Sequence, residues 1–210
     1  MTASAALVTA VLALGLAATP RTRRRLRAAL KMAASTGFVV TALSAGAVDT
    51  AYGRWVLVAL SLGWIGDAAL LSGRSRWFLT GLAVFGGSHL AYVGAMATQP
   101  MSIPGGVVAA AVMAVTAAAI LRWLMPHVGG AMRTPVLAYV AVISAMVVAC
   151  GAAAAGGGPH EVLPAGAAFA ASDVFVARDR FVAPGPDNGR LGLPLYYAAQ
   201  IVFALSVGAG

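Results

Sequence analysis

Long apolar runs recur along the whole chain, and the charges sit almost entirely between them. Eight runs stand out, at residues 3–18, 28–48, 54–71, 77–98, 104–124, 135–155, 162–177 and 193–209. A segment of about 17–25 apolar residues crosses a bilayer as a helix. Sixty per cent of the residues are hydrophobic and only 10% are charged, far from a soluble domain. The expected fold is therefore all-α: a polytopic membrane bundle of eight transmembrane helices, forming a single transmembrane domain over residues 1–210. The place expected for it is the cell membrane, as a multi-pass protein.

The net charge of +8 would suggest nucleic acid in a soluble protein. Here its distribution follows the connections. Connections after the first, third, fifth and seventh runs hold or border Arg21, Arg23, Arg24, Arg25, Arg27, Arg74, Arg76, Arg122, Arg133, Arg178, Arg180 and Arg190. The others hold Arg54 beside acidic Asp49 and Glu161, and Lys31 lies inside the second run. By the positive-inside rule the odd connections are cytoplasmic and both termini face out. No basic-aromatic interleaving marks a nucleic-acid surface. The first run lacks a basic N-terminal region and precedes five arginines, so it reads as a retained span and not a signal peptide. Cys150 is the lone cysteine, which excludes an intramolecular disulfide and a cysteine-built metal site. No HxxxH or HExxH spacing exists, so no metal is expected, and His127 and His160 fall in connections. Residues 155–159 are Gly-rich without a following Lys-Ser/Thr, and so form a connection and not a phosphate cradle. Residues 178–192, with Pro184, Gly185, Pro186, Asn188 and Gly189, read as a mobile, turn-rich connection.

Two carboxylates break the apolar pattern: Asp67 in the third run and Asp173 in the seventh. An ionisable group inside a span is costly, which makes it a candidate functional residue. Under the charge-derived topology both lie roughly 6–9 Å below the cytoplasmic edge, at 1.5 Å per residue. Lys31, Tyr196 and Tyr197 fall at similar depth, Gln200 one turn deeper, and His89 nearer mid-membrane. The expectation is that the two aspartates meet and perform acid–base chemistry on a lipid. Each residue also has a plainer reading. The aspartates and Gln200 hold helices together by hydrogen bonds, Lys31 snorkels to the interface, the tyrosines belong to an interfacial belt, and His89 packs.

Four stretches carry a family likeness: GWIGDAALL at 63–71, FLTGLAVFGGSHLAY at 78–92, GAAFAASDVFVARDRF at 166–181 and YYAAQIVF at 196–203. In this order and spacing they resemble the YhhN-like family, which includes the lysoplasmalogenases. The resemblance covers nearly the whole chain from the second run onward. It implies an eight-helix integral membrane enzyme that hydrolyses the vinyl ether of a lysoplasmalogen to a fatty aldehyde and a glycerophospho-headgroup. It places functional weight on Asp67, Asp173, His89, Tyr92, Tyr197 and Gln200. The family often has Lys-Pro where this chain has Lys31-Met32.

Vinyl-ether hydrolysis needs a proton delivered to carbon and a second group that stabilises the cation or activates water. Paired carboxylates in opposite protonation states serve oxocarbenium-like transition states in glycosidases. Asp67 and Asp173 are thus the catalytic candidates, and Lys31, His89, Tyr92, Tyr196, Tyr197 and Gln200 the substrate-binding ones. Lys31 would meet the headgroup phosphate. The expected partners are a lysophospholipid substrate and membrane lipids, with no nucleic acid, no obligate protein partner and no cofactor. The alternative is a small proton-coupled transporter using the same aspartates. Discontinuous helices and half-repeats would favour it, and neither is evident.

Overall fold

The structure is a computed structural model that describes residues 2–209. Its regular elements are helices: α1 (Thr2–Ala18), α2 (Arg24–Ser44), α3 (Ala51–Ala69), α4 (Ser75–Met96), α5 (Ile103–Leu124), α6 (Gly130–Ala155), α7 (Val162–Ala177) and α8 (Pro186–Ser206). Four of them, α2, α4, α5 with its 3₁₀ extension to His127, and α6, are long and apolar enough to cross a membrane.

Helix ends follow local chemistry. Thr50 caps α3 by accepting from Gly53 N–H at 2.9 Å, and Ser102 caps α5 by accepting from Gly105 N–H at 3.2 Å. At the end of α2, Gly46 takes φ +86°, and Ala47 N–H folds back to Ala42 O at 3.0 Å. That left-handed turn suits glycine and ends α2 at Ser44, short of residue 48, where the apolar run stops. At its other end α2 begins at Arg24, before the apolar run starts, because arginine is a good helix former and needs no burial.

Chain neighbours pair first: α1 with α2, α3 with α4, α5 with α6, and α7 with α8. Contacts between α2 and α3, α4 and α6, α6 and α7, and α8 and α1 then close a ring of seven helices. Helix α5 lies outside this ring. It packs along α6, buries only Leu124, and exposes Ile103, Val107, Val108, Val112 and Val115. Inside the ring the core is aromatic. Phe38, Phe169, Phe203, Tyr92 and Tyr197 are fully buried, and Tyr92 stacks on Phe203 with centroids 4.0 Å apart.

The α7–α8 connection departs from the expected mobile loop. Residues Arg178–Val182 form a π-helical turn, and α8 already starts at Pro186, which suits a first helical position. Asp179 anchors the segment. It accepts from Arg21 at 2.9 and 3.0 Å, from Gly185 N–H at 2.9 Å and from Asn188 Nδ2 at 2.9 Å. Asn188 is buried and also receives Arg178 at 2.6 Å. The Gly/Pro/Asn composition that suggested mobility instead supplies a buried amide and an uncapped helix start.

Partial burial pushes Asp179 up, but the donors from Gly185, Arg21 and Asn188 outweigh it and hold the carboxyl below the usual carboxylate range. A depressed folded value means stability that is present above the unfolded value, about 3.9, and lost as pH falls through the folded one. Asp179→Asn should therefore speed proteolysis of the 178–185 segment at neutral pH, with a modest loss of about 1 kcal/mol because the ion pair is half exposed. Acidification below the carboxylate range should speed it in the unsubstituted protein only. Equal protection in both proteins at neutral pH would refute the anchor.

Candidate active site

Asp67 lies near the end of α3 and is 2% exposed. Its Oδ2 accepts from Ser35 Oγ at 2.6 Å and from Tyr196 OH at 2.8 Å, and its Oδ1 is 3.1 Å from Lys31 Nζ. Lys31 and Ser35 are four residues apart on α2 and so share one face. Tyr197 OH stands 3.1 Å from both Ser35 Oγ and Lys31 O. Gln200, one turn beyond Tyr196 on α8, donates to Tyr196 OH at 3.2 Å and accepts from Tyr92 OH at 2.6 Å. Six side chains from α2, α4 and α8 thus converge on one carboxylate.

Close helix approach makes this possible. A Cβ on Gly63 would stand 2.6 Å from Gln200 Nε2, and one on Gly66 would stand 2.7 Å from Phe85. Gly63→Ala should push Gln200 off Tyr196 and cost about 1–3 kcal/mol. Melting measurements on the purified variant check this, and an unchanged transition would show that Gln200 has room to move.

Asp173, on α7, has its own partners. Tyr139 of α6 donates to its Oδ2 at 2.8 Å, and His89 Nε2 is 2.9 Å from Tyr139 OH and 3.4 Å from Asp173 Oδ2. The Asp173 side chain is 21% exposed, whereas His89 is fully buried. Among the described residues, His89 Nδ1 has no hydrogen-bond partner. Phe169 separates the clusters, packing against His89 at 4.7 Å and Tyr196 at 5.3 Å between centroids.

The two aspartates were expected to meet. Instead, among the described residues, no hydrogen bond joins them; each heads a separate cluster, and both line one cavity of about 1400 Å³. Lys31 was expected to face a phosphate and is instead spent on Asp67. Tyr196 and Tyr197 are buried in the network and not set in an interfacial belt. Tyr92 and Gln200 join the Asp67 cluster, and His89 joins Asp173. Ser35 and Tyr139 escaped the sequence reading. The signal that would have found Ser35 is its i+4 spacing from Lys31. Tyr139 is the only tyrosine in the sixth run, a weak signal without a partner in view.

The cavity runs along α5 from Ser102 to Leu124 and along α6 from Val136 to Ala155. Its walls are mostly Ala, Val, Ile and Leu from these helices and α7. Arg21, Arg27, Lys31 and Arg180 also line it. A long apolar slot with a few convergent polar groups is suited to a single-chain amphiphile.

Comparison with known proteins gives the family. The YhhN family matches residues 26–207. The chain is 30% identical over 164 residues to lysoplasmalogenase TMEM86A of Bos taurus and 32% identical over 157 residues to that of Homo sapiens. Each match covers 72% of this chain and 64% of the relative. Lysoplasmalogenase TMEM86B of Mus musculus is 31% identical over 156 residues, covering 72% of this chain and 63% of that protein. The matched region thus spans just under two thirds of these relatives' length. No solved structure matches. Because the family match runs from the second residue position after Arg24 on α2 to just beyond the end of α8, it takes in both aspartates and every partner named above, and the chain belongs to the YhhN family.

Proposed function

We propose that this chain is a membrane lipid hydrolase that cleaves the vinyl ether of a lysoplasmalogen to a fatty aldehyde and a glycerophospho-headgroup. What carries the reading is two carboxylates with different partners on the wall of one apolar cavity. The names of the relatives supply the substrate class.

In this reading all eight helices cross the cell membrane as one domain, with both termini outside. The arginine-bearing connections after α1, α3, α5 and α7 support that orientation. Asp67 and Asp173 then lie toward the cytoplasmic half, and the lipid tail lies along α5 and α6 toward the outer half.

Asp173 fits the acid. Its Oδ2 has one hydroxyl donor, and its side chain reaches the cavity. It protonates the vinyl carbon distal to the ether oxygen, and the positive charge spreads over the adjacent carbon and oxygen. Asp67 faces an ammonium and two hydroxyl donors, so an acceptor-only carboxylate satisfies them all. It is the fixed negative charge that stabilises the cation. Water adds to the cationic carbon and returns a proton to Asp173. The hemiacetal then breaks its carbon–oxygen bond, releasing aldehyde and the glycerol hydroxyl. Tyr139 and His89 orient Asp173, while Tyr92, Gln200, Tyr196, Tyr197 and Ser35 hold Asp67.

A panel of alkenyl, acyl and alkyl lysolipids offered to purified protein tests this. Aldehyde should form from the alkenyl lipid only. An unchanged alkenyl lipid, or equal turnover of the acyl lipid, would overturn it.

A further inference from the structure

Three helices each turn one face to the cavity, at helical spacing. On α7, Asp173, Ala170, Ala167 and Leu163 recur every three or four residues, and all four line it. On α6, Tyr139, Ile143, Val147, Gly151 and Ala155 recur every four residues and line it too. Helix α5 supplies a third wall from Gly105 to Leu124. Because α6 packs against both α5 and α7, it is the floor of a trough and they are its sides.

The chemistry changes once along these two stripes. At one level Tyr139 donates to Asp173 Oδ2 at 2.8 Å, and the Asp173 side chain stays 21% exposed. From there toward the start of α7 the residues of both stripes are apolar. At the level of Leu163 the three helices draw together. A Cβ on Gly151 would stand 2.6 Å from Ala109 of α5 and 3.8 Å from Leu163 of α7. An apolar trough with an acid at one level suits a hydrocarbon chain whose reactive end lies at that acid.

Helical rise gives the trough a length. Leu163 lies about 15 Å from Asp173 along α7, and Gly151 lies about 18 Å from Tyr139 along α6, at about 1.5 Å per residue. An extended chain advances about 1.25 Å per carbon at ordinary bond lengths, so roughly 12–14 carbons cover that span. The carbon that takes the proton is the second of the chain. With that carbon at Asp173, the trough holds a chain of about 14–16 carbons. Ala167, about 9 Å from Asp173, stands beside roughly the ninth.

We propose that the α5–α6–α7 trough measures the lipid's hydrocarbon chain: it seats one extended chain of about 14–16 carbons, and Ala167 and Leu163 set the room at its middle and far levels. This rests on the hydrolase reading for the vinyl ether at Asp173 but not for the binding of the chain.

The test is equilibrium binding of uncleavable alkyl-ether lysophosphoethanolamines, with chains of about 6, 12 and 18 carbons chosen to end below, between and beyond the two levels, to purified protein in detergent. Each affinity is compared between variant and unsubstituted protein, which cancels the probe's own preference for the micelle. Ala167 and Leu163 are both exposed, so larger side chains there enter the trough without displacing the core. Ala167→Phe should leave the shortest probe within about threefold and weaken the two longer ones about 10–100-fold, the range of an overpacked contact. Leu163→Trp should spare the two shorter probes and weaken only the longest, by a similar factor of about 10–100. The shortest probe also reports that each variant is folded at the site. Equal weakening of all three probes in a variant, or no weakening of any, overturns the measure. So does a step with Ala167→Phe and none with Leu163→Trp, which would mean that the chain leaves the trough sideways before its far level. Vinyl-ether cleavage by the unsubstituted protein is read separately. No cleavage alongside the two length steps would remove the hydrolase reading and leave the chain trough supported.

Discussion

Asp173→Asn should lower vinyl-ether turnover by about 10²–10⁴-fold and leave the protein folded. The asparagine carbonyl still accepts the Tyr139 hydroxyl, and no buried cation is stranded, because the charge near Asp173 is a histidine 3.4 Å away that is cationic only when protonated. What is lost is the proton that must reach carbon. Turnover of an alkenyl lysolipid and the melting temperature, measured on one preparation, decide it. Unsubstituted turnover in the variant would remove Asp173 from the chemistry. If Asp173 were only a helix-holding residue, melting would fall while turnover per folded molecule held.

Asp67→Asn should behave differently: turnover falls as far, and stability falls with it by about 3–5 kcal/mol. Lys31 and Asp67 have side-chain exposures of only 15% and 3%, so the substitution leaves an ammonium without its counter-charge. Adding Lys31→Met removes the stranded charge and should restore most of the melting temperature without restoring turnover. That split separates the structural work of the ion pair from the work of the negative charge in the reaction. Recovery of both in the double variant would show that Asp67 serves only to hold Lys31. The Asp67→Asn/Asp173→Asn double variant should turn over scarcely less than the worse single variant, since members of one catalytic unit are non-additive.

Much was legible along the chain because hydropathy and charge are local sums. Eight helices lie where eight apolar runs lie, and α7 has the bounds of its run. Asp67 and Asp173 were visible because a carboxylate inside an apolar run needs no partner in view to stand out. The shared depth of Lys31, Asp67, Tyr196 and Tyr197 was visible from rise per residue once the topology was drawn.

Tertiary structure alone decided who bonds to whom. Partner choice depends on how each helix is rotated about its axis and how closely it approaches its neighbour, and neither is a local sum. Glycines at 63 and 66 bring Gln200 and Phe85 against α3, and this delivers Tyr196 to Asp67. The α4–α6–α7 side of the ring gives Tyr139 and His89 to Asp173, while Phe169 keeps the clusters apart. Lys31 turns to Asp67, and Arg27 is left beside α8. The start of α8 also depends on three dimensions. Proline, glycine and asparagine spell a loop locally, but the carboxyl of Asp179, held by Arg21 from the other end of the chain, bonds to Asn188 and fixes that turn as helix.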